Sequence, residues 1–192
     1  IMANQSPTLG GKRIIVGVAG GIACYKIADL VSSFVQSGAV VDVLMTEAAT
    51  HFVTSLTFES LTGRPVFDSM WKHIDGHTPQ HINIATKADV MLIAPCTMDM
   101  VTRLACGLTN DPVTLVCSAI NREQIPVVVA PSMNVTMLSQ PSTTRNLTTL
   151  CDDGFTVLGT EDGWQACRAT GMGRMSDSAT LIAAVESALQ CD

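Results

Sequence analysis

Cys167 stands between Trp164 and the run Gly171-Met-Gly-Arg-Met175, and a thiol in such a place can hand over a proton or attack a bond. Glycines and basic residues clustered around it predict a loop rather than a packed strand over 165–175. Asn134, in Pro131-Ser-Met-Asn-Val-Thr-Met137, offers both a donor and an acceptor directly after an apolar run. Ordinary turn chemistry would place an asparagine there too. His81, in Gln80-His-Ile-Asn-Ile-Ala-Thr-Lys-Ala-Asp89, is either an acid/base group or a structural histidine just before a strand. The other histidines, His51, His73 and His77, have no spacing that suggests a metal site. Seven cysteines with no Cys-x-x-Cys argue against a zinc site and a disulfide framework alike, and no metal is expected.

A second chemical signal is the turn Gly17-Val-Ala-Gly-Gly-Ile-Ala23. Gly20, Gly21 and Ile22 stand where backbone amides at a helix start can approach a phosphate. A tight strand-to-helix turn would also need such glycines, and the pattern is not Gly-x-Gly-x-x-Gly. A dinucleotide site wants an acidic residue at the end of the second strand to hold a ribose, and Glu47 lies behind Thr46. The Thr46 hydroxyl suits a phosphate contact, which favours a mononucleotide.

The elements that would carry these residues alternate. Residues 13–19 read as a buried β-branched strand, followed by a helix with apolar residues at 23, 27, 30, 31 and 34 that ends at Gly38. Further strands are predicted over 40–45, 89–95, 127–131 and 155–158, with helices over 54–61, from 96 through Leu104 to Gly107, 112–120, 142–151 and 179–189. Near-continuous apolar strands separated by helices predict an α/β fold, a three-layer Rossmann-like or flavodoxin-like parallel sheet with helices on both faces. Ligands of such sheets bind at the carboxyl ends of the strands.

Composition limits the remaining choices. At 192 residues with 47% hydrophobic content the chain is one domain with an ample core, apolar enough to favour an oligomer. The division expected is a disordered extension over 1–12 and a single domain over 13–192, with Ile1 before Met2 set aside. A net charge of −6 without a basic run argues against nucleic acid as the partner. Apolar runs fall far short of the roughly 18 residues that would suggest a membrane span, and no signal-peptide pattern opens the chain, so a cytoplasmic protein is expected.

Taken together, these motifs resemble the homo-oligomeric flavin-containing cysteine decarboxylase family. The resemblance runs from about 13 to 175. It rests on Gly20-Gly-Ile-Ala-Cys-Tyr-Lys26, Met45-Thr-Glu-Ala-Ala49 with His51-Phe-Val53, His81-Ile82, Ala88 to Pro95, Pro131 to Met137, and Ala166-Cys167 followed by Gly171 to Met175. It implies FMN as cofactor, held by Gly20, Gly21, Ile22, Thr46, Phe52, Thr97, Met98 and Asp99. It also implies catalytic roles for His81, Asn134 and Cys167, and substrate contacts from Asn134, Met137 and Arg174.

The chemistry implied is FMN-dependent decarboxylation of 4′-phosphopantothenoylcysteine to 4′-phosphopantetheine in coenzyme A biosynthesis, a carboxy-lyase reaction on a small phosphorylated substrate. A cysteine carboxylate has no electron sink, so the side chain is first oxidised to a thioaldehyde. The resulting β-thioketo acid loses carbon dioxide to a delocalised ene-thiolate. Family members that return the electrons need a proton donor, and Cys167 falls at that position. Members that decarboxylate C-terminal peptidyl cysteines stop at the enethiol and generally lack this cysteine. A flavin-binding regulatory subunit and a prenyltransferase are the other readings. Departures from the family are Asp99 for a common Asn, Met100 for a common Thr, and Arg168-Ala-Thr170 for Gly-Asp and an apolar residue. Trimers, or dodecamers built from them, are implied, with flavin sites near subunit interfaces. A separate or fused CTP-dependent synthetase is implied as partner, and the chain is either stand-alone or cut from a bifunctional protein.

Overall fold

The computed structural model describes residues 8–71, 79–166, 168 and 170–190. Five parallel strands form the central sheet: β1 (Arg13–Val18), β2 (Val40–Met45), β3 (Val90–Cys96), β4 (Val127–Pro131) and β5 (Thr156–Val157), in the order β2-β1-β3-β4-β5. This is the flavodoxin-like order. Because β1 pairs with β2 on one side and β3 on the other, the chain leaves the sheet in opposite directions there and a crevice opens at the carboxyl ends.

The strands read as near-continuous apolar runs because both faces are covered. All seven residues of β3 are buried. Ile14, Val16 and Val18 of β1 pack on one face with α1 (Cys24–Gln36) and α9 (Ser178–Ala188). Ile15 packs on the other face with α5 (Met98–Ala105), α6 (Pro112–Ala119) and α8 (Pro141–Asp152). Alternate side chains along each strand thus fill two separate cores. The stripe predicted for α1 is the buried one: Ile27, Leu30, Val31 and Phe34 are each fully buried. Gly38, at φ +86°, reverses the chain after this helix. The helix α3 (Ser55–Thr62) follows its predicted span closely.

Two expectations are corrected. Residues 8–12, assigned to a disordered extension, form a turn that packs on the domain. Leu9 is buried in the first core, and the Gly11 amide donates to the Gly38 carbonyl at 2.9 Å. The second correction concerns 165–175, where a loop was expected. Thr170–Arg174 is a strand, β7, antiparallel to β6 (Glu161–Trp164). Glycines here do not break the strand. Gly173 lies at φ +125° because β7 runs hard against the chain after β4, where a Cβ would strike the Met133 carbonyl oxygen.

Short helices complete the fold: α2 (Glu47–Thr50), α4 (Gln80–Ala85) and α7 (Val135–Leu138). Among the described residues no helix is long and apolar enough to cross a membrane.

Candidate active site

Two clefts open at the carboxyl edge of the sheet and share a wall. The first, about 600 Å³, lies between the turn after β1, the start of α5, the chain after β4 and the β6–β7 hairpin. The second, about 580 Å³, lies between α2, the segment 68–71, α5 and the start of α6. Gly20, Thr97 and Asp99 line both.

The turn after β1 is bare for a steric reason. A Cβ on Gly20 would collide with Ala48 in α2, and one on Gly21 would come within 3.2 Å of the Thr97 methyl. Three elements therefore meet around a backbone that has no side chains, so its amides can approach a ligand closely. Hydroxyls cap the adjoining helices. Thr46 Oγ1 accepts from the Ala49 amide at 3.2 Å, and Thr97 Oγ1 accepts from the Met100 amide at 3.3 Å.

Asp99 would repel an anion if its charge were unmatched. Instead it accepts from Arg103 Nε at 2.7 Å, one turn along α5, while Arg103 also donates to Asn110 Oδ1 at 2.7 Å. Asp111 lies 3.7 Å from the same guanidinium and caps α6 through the Val113 and Thr114 amides. The carboxylate is thus tied into a network along the floor of the second cleft.

Asn134, Met137 and Arg174, expected at the substrate, all line the first cleft. Asn134 caps α7, its Oδ1 accepting from the Thr136 amide at 2.8 Å. Arg174 donates to Glu161 Oε2 across the hairpin at 2.9 Å. Gly21, Ile22 and Met98 line the first cleft, and Thr46 lines the second. Phe52 is half exposed and lines neither, although its neighbour His51 lines the second. His81 sits on the first turn of α4, partly buried, and lines neither cleft of its own chain. Cys167, His73 and His77 lie outside the described residues.

The buried thiols near the site are not nucleophiles. Burial pushes Cys24 up, Cys96 well up, and Cys117 up to about 12. Cys24, at the start of α1, donates its S–H to the Ala19 carbonyl at 3.1 Å. Such groups stay protonated at neutral pH.

Sequence reasoning did not single out Lys26, Tyr25, Trp164 or Gln165, all of which line the first cleft. Tyr25 and Lys26 were legible only as part of the motif that starts at Gly20. Gln165 gave no signal at all, because its partners lie up to 30 residues away.

A family model described as Flavoprotein matches residues 2–190. The chain belongs to the flavoprotein family. Among curated relatives of this flavoprotein, the coenzyme A biosynthesis bifunctional protein CoaBC of Vibrio vulnificus (strain YJ016) is 41% identical over 183 residues, 95% of this chain and 45% of the relative. The protein of the same name from Escherichia coli (strain K12) is 40% identical over 175 residues, 91% of this chain and 42% of the relative. The flavoprotein therefore spans less than half the length of these relatives. Among solved structures, a PPC decarboxylase mutant complexed with pantothenoylaminoethenethiol superposes with a TM-score of 0.81 at 27% identity, covering 92% of this chain and 97% of that one. The FMN binding protein AtHal3 gives a TM-score of 0.78 at 26% identity, with 92% and 95% covered.

Proposed function

We propose that this flavoprotein binds FMN and decarboxylates 4′-phosphopantothenoylcysteine to 4′-phosphopantetheine, a carboxy-lyase step of coenzyme A biosynthesis. The observation that carries this is the first cleft, where a bare glycine turn at a helix start faces Asn134 and Arg174 across one opening. Its chain-wide likeness is to bifunctional coenzyme A biosynthesis proteins and to a PPC decarboxylase.

The residues present fit FMN. The Gly20-Gly21 turn leaves a cradle that a Cβ would fill, the start of α1 supplies amides for a phosphate, and Thr46 and Thr97 place hydroxyls beside it. Bound FMN would supply the two-electron acceptor that a cysteine substrate lacks. Gly20, Gly21, Ile22, Thr46, Thr97, Met98 and Asp99 are the residues assigned to hold it, with Asp99 paired to Arg103. Phe52, half exposed at the end of α2, is assigned to the flavin from outside the two clefts.

On the substrate side, Asn134 uses its amide to orient the carboxylate, and Met137 packs beside it. Arg174, already paired with Glu161, offers its remaining donors to the substrate. His81 holds or moves a proton at the oxidation step. Because it lines neither cleft of its own chain, its place is in a site completed between copies of a homo-oligomer. Large exposed apolar side chains support that assembly: Trp71 is 89% exposed, Leu56 67% and Tyr25 62%. Trimers, or dodecamers of trimers, working in the cytoplasm beside a separate or fused CTP-dependent synthetase complete the reading.

Anaerobic incubation with phosphopantothenoylcysteine, with products followed by mass, tests the activity. Loss of carbon dioxide with formation of phosphopantetheine is expected, and no mass change would overturn the reading. Gly21→Asp should yield folded protein without flavin, because its carboxylate enters the phosphate turn. Stoichiometric FMN in that variant would remove the turn from the site.

A further inference from the structure

Gln165 follows β6, is only 9% exposed, and lines the first cleft. Its carboxamide is fully engaged. Nε2 donates to the Gly171 carbonyl at 3.1 Å and to the Met172 carbonyl at 2.8 Å, while Oε1 accepts from the Val135 amide at 3.3 Å. Two carbonyls need donors and one amide needs an acceptor, so the orientation of the group is fixed by chemistry.

Val135 is the first residue of α7, and Asn134 is its cap. A four-residue helix has almost no stability of its own, and its first amides need partners from outside it. Here Asn134 takes the Thr136 amide and Gln165 takes the Val135 amide. The same stretch is tied to β7 by the Met133 amide, which donates to the Gly173 carbonyl at 2.9 Å. One side chain from the hairpin thus fixes the backbone on which Asn134 stands.

We propose that Gln165 is a positioning residue: its carboxamide clamps the start of α7 to β7 and so sets Asn134 at the substrate carboxylate. This rests on the decarboxylase reading above. Gln165→Met keeps length and bulk but removes these three bonds. Its kcat should fall by about tenfold to a hundredfold, the range expected when a substrate-orienting group is misplaced, with FMN content unchanged.

Coupling to Asn134 is the decisive readout. In an Asn134→Asp background, adding Gln165→Met should lower kcat by less than about twofold, because both changes act through one group. An additive loss, or wild-type kcat in Gln165→Met alone, overturns the inference. Gln165→Glu is a second variant should the first fail to fold. Ionised, it sets a carboxylate against two carbonyls; protonated, it can donate to one of them and still accept from Val135. Its kcat relative to wild type should therefore rise as pH falls through the carboxylate range. Lys26, Asp99 and Arg174 line the same cleft, and Glu161 pairs with Arg174, in both proteins, so their titration cancels in that ratio. A flat ratio overturns the inference. Wild-type protein that releases no carbon dioxide overturns the decarboxylase reading and the inference with it.

Discussion

The Met133 amide donates to the Gly173 carbonyl at 2.9 Å, which brings the chain carrying Asn134 into backbone contact with the strand carrying Arg174. Gly173 is the residue that permits the approach. A Cβ there would strike Met133 O, and its φ of +125° is one that side-chain-bearing residues rarely adopt. Gly173→Ala should therefore cost about 1–3 kcal/mol in urea unfolding and lower decarboxylation at least tenfold, since β7 must lift off. Wild-type turnover with unchanged stability would mean that the contact is loose.

Arg168 gives a prediction of opposite sign. It occupies the left-handed region at φ 63°, closes a turn through its amide to the Gln165 carbonyl at 2.9 Å, and stands where the resembled family has glycine. A left-handed arginine is strained, and glycine adopts this conformation freely, though it loses more chain entropy on folding. Arg168→Gly should thus leave stability unchanged or raise it by up to about 1 kcal/mol, as read from the urea midpoint. A loss above that margin would show that the side chain, rather than the backbone, matters at this position.

How far these features were legible in the sequence depends on their length and on the distance between partners. β3 and β4 were readable because burial on both faces turns each into an unbroken apolar run, and α1 because thirteen residues repeat one face several times. α2, α4 and α7 span a single turn or little more, too short for periodicity to register. β7 was misread because three of its features, Gly171, Gly173 and Arg174, are turn signals in isolation. They become strand residues because β7 pairs with β6, with Gly173 set against Met133 and Gly171 against Val135. The turn at Gly20-Gly21 was legible as a bare strand-to-helix turn, which is how the fold uses it. The second cleft was not, since Thr46, Trp71, Arg103 and Asp111 meet only in the fold.

Buried thiols set an alkaline limit to stability. Cys117 rises from an ordinary 9.0 to about 12 through burial, and Cys96 rises in the same direction. The unfolded chain releases these protons first, so each thiol's contribution is fully present below about pH 9 and is lost as pH climbs toward the folded value. The slope is about 1.4 kcal/mol per pH unit for each thiol. Urea unfolding between pH 9 and 10.5 should show this decline, and Cys117→Ala should make it shallower whatever its effect on absolute stability. An unchanged slope in that variant would mean that Cys117 titrates alike in both states. Cys106 and Cys151, both exposed, should alone among these four react with iodoacetamide at pH 8 in the native protein.

Cys167 bears on the substrate. If its thiol donates the proton when electrons return to the ene-thiolate, Cys167→Ser should still oxidise and decarboxylate phosphopantothenoylcysteine, because those steps are assigned to His81 and Asn134. A hydroxyl matches the thiol in size but is a far weaker acid. The variant should release an enethiol two hydrogens lighter than phosphopantetheine. The two electrons taken from the substrate then stay behind, so turnover continues only where oxygen accepts them, and anaerobic reaction should stop after one equivalent. Mass spectrometry with and without oxygen reads both effects. Phosphopantetheine formed at the wild-type rate would leave Cys167 without a chemical role, and would remove the main sequence argument for this substrate over a peptide ending in cysteine.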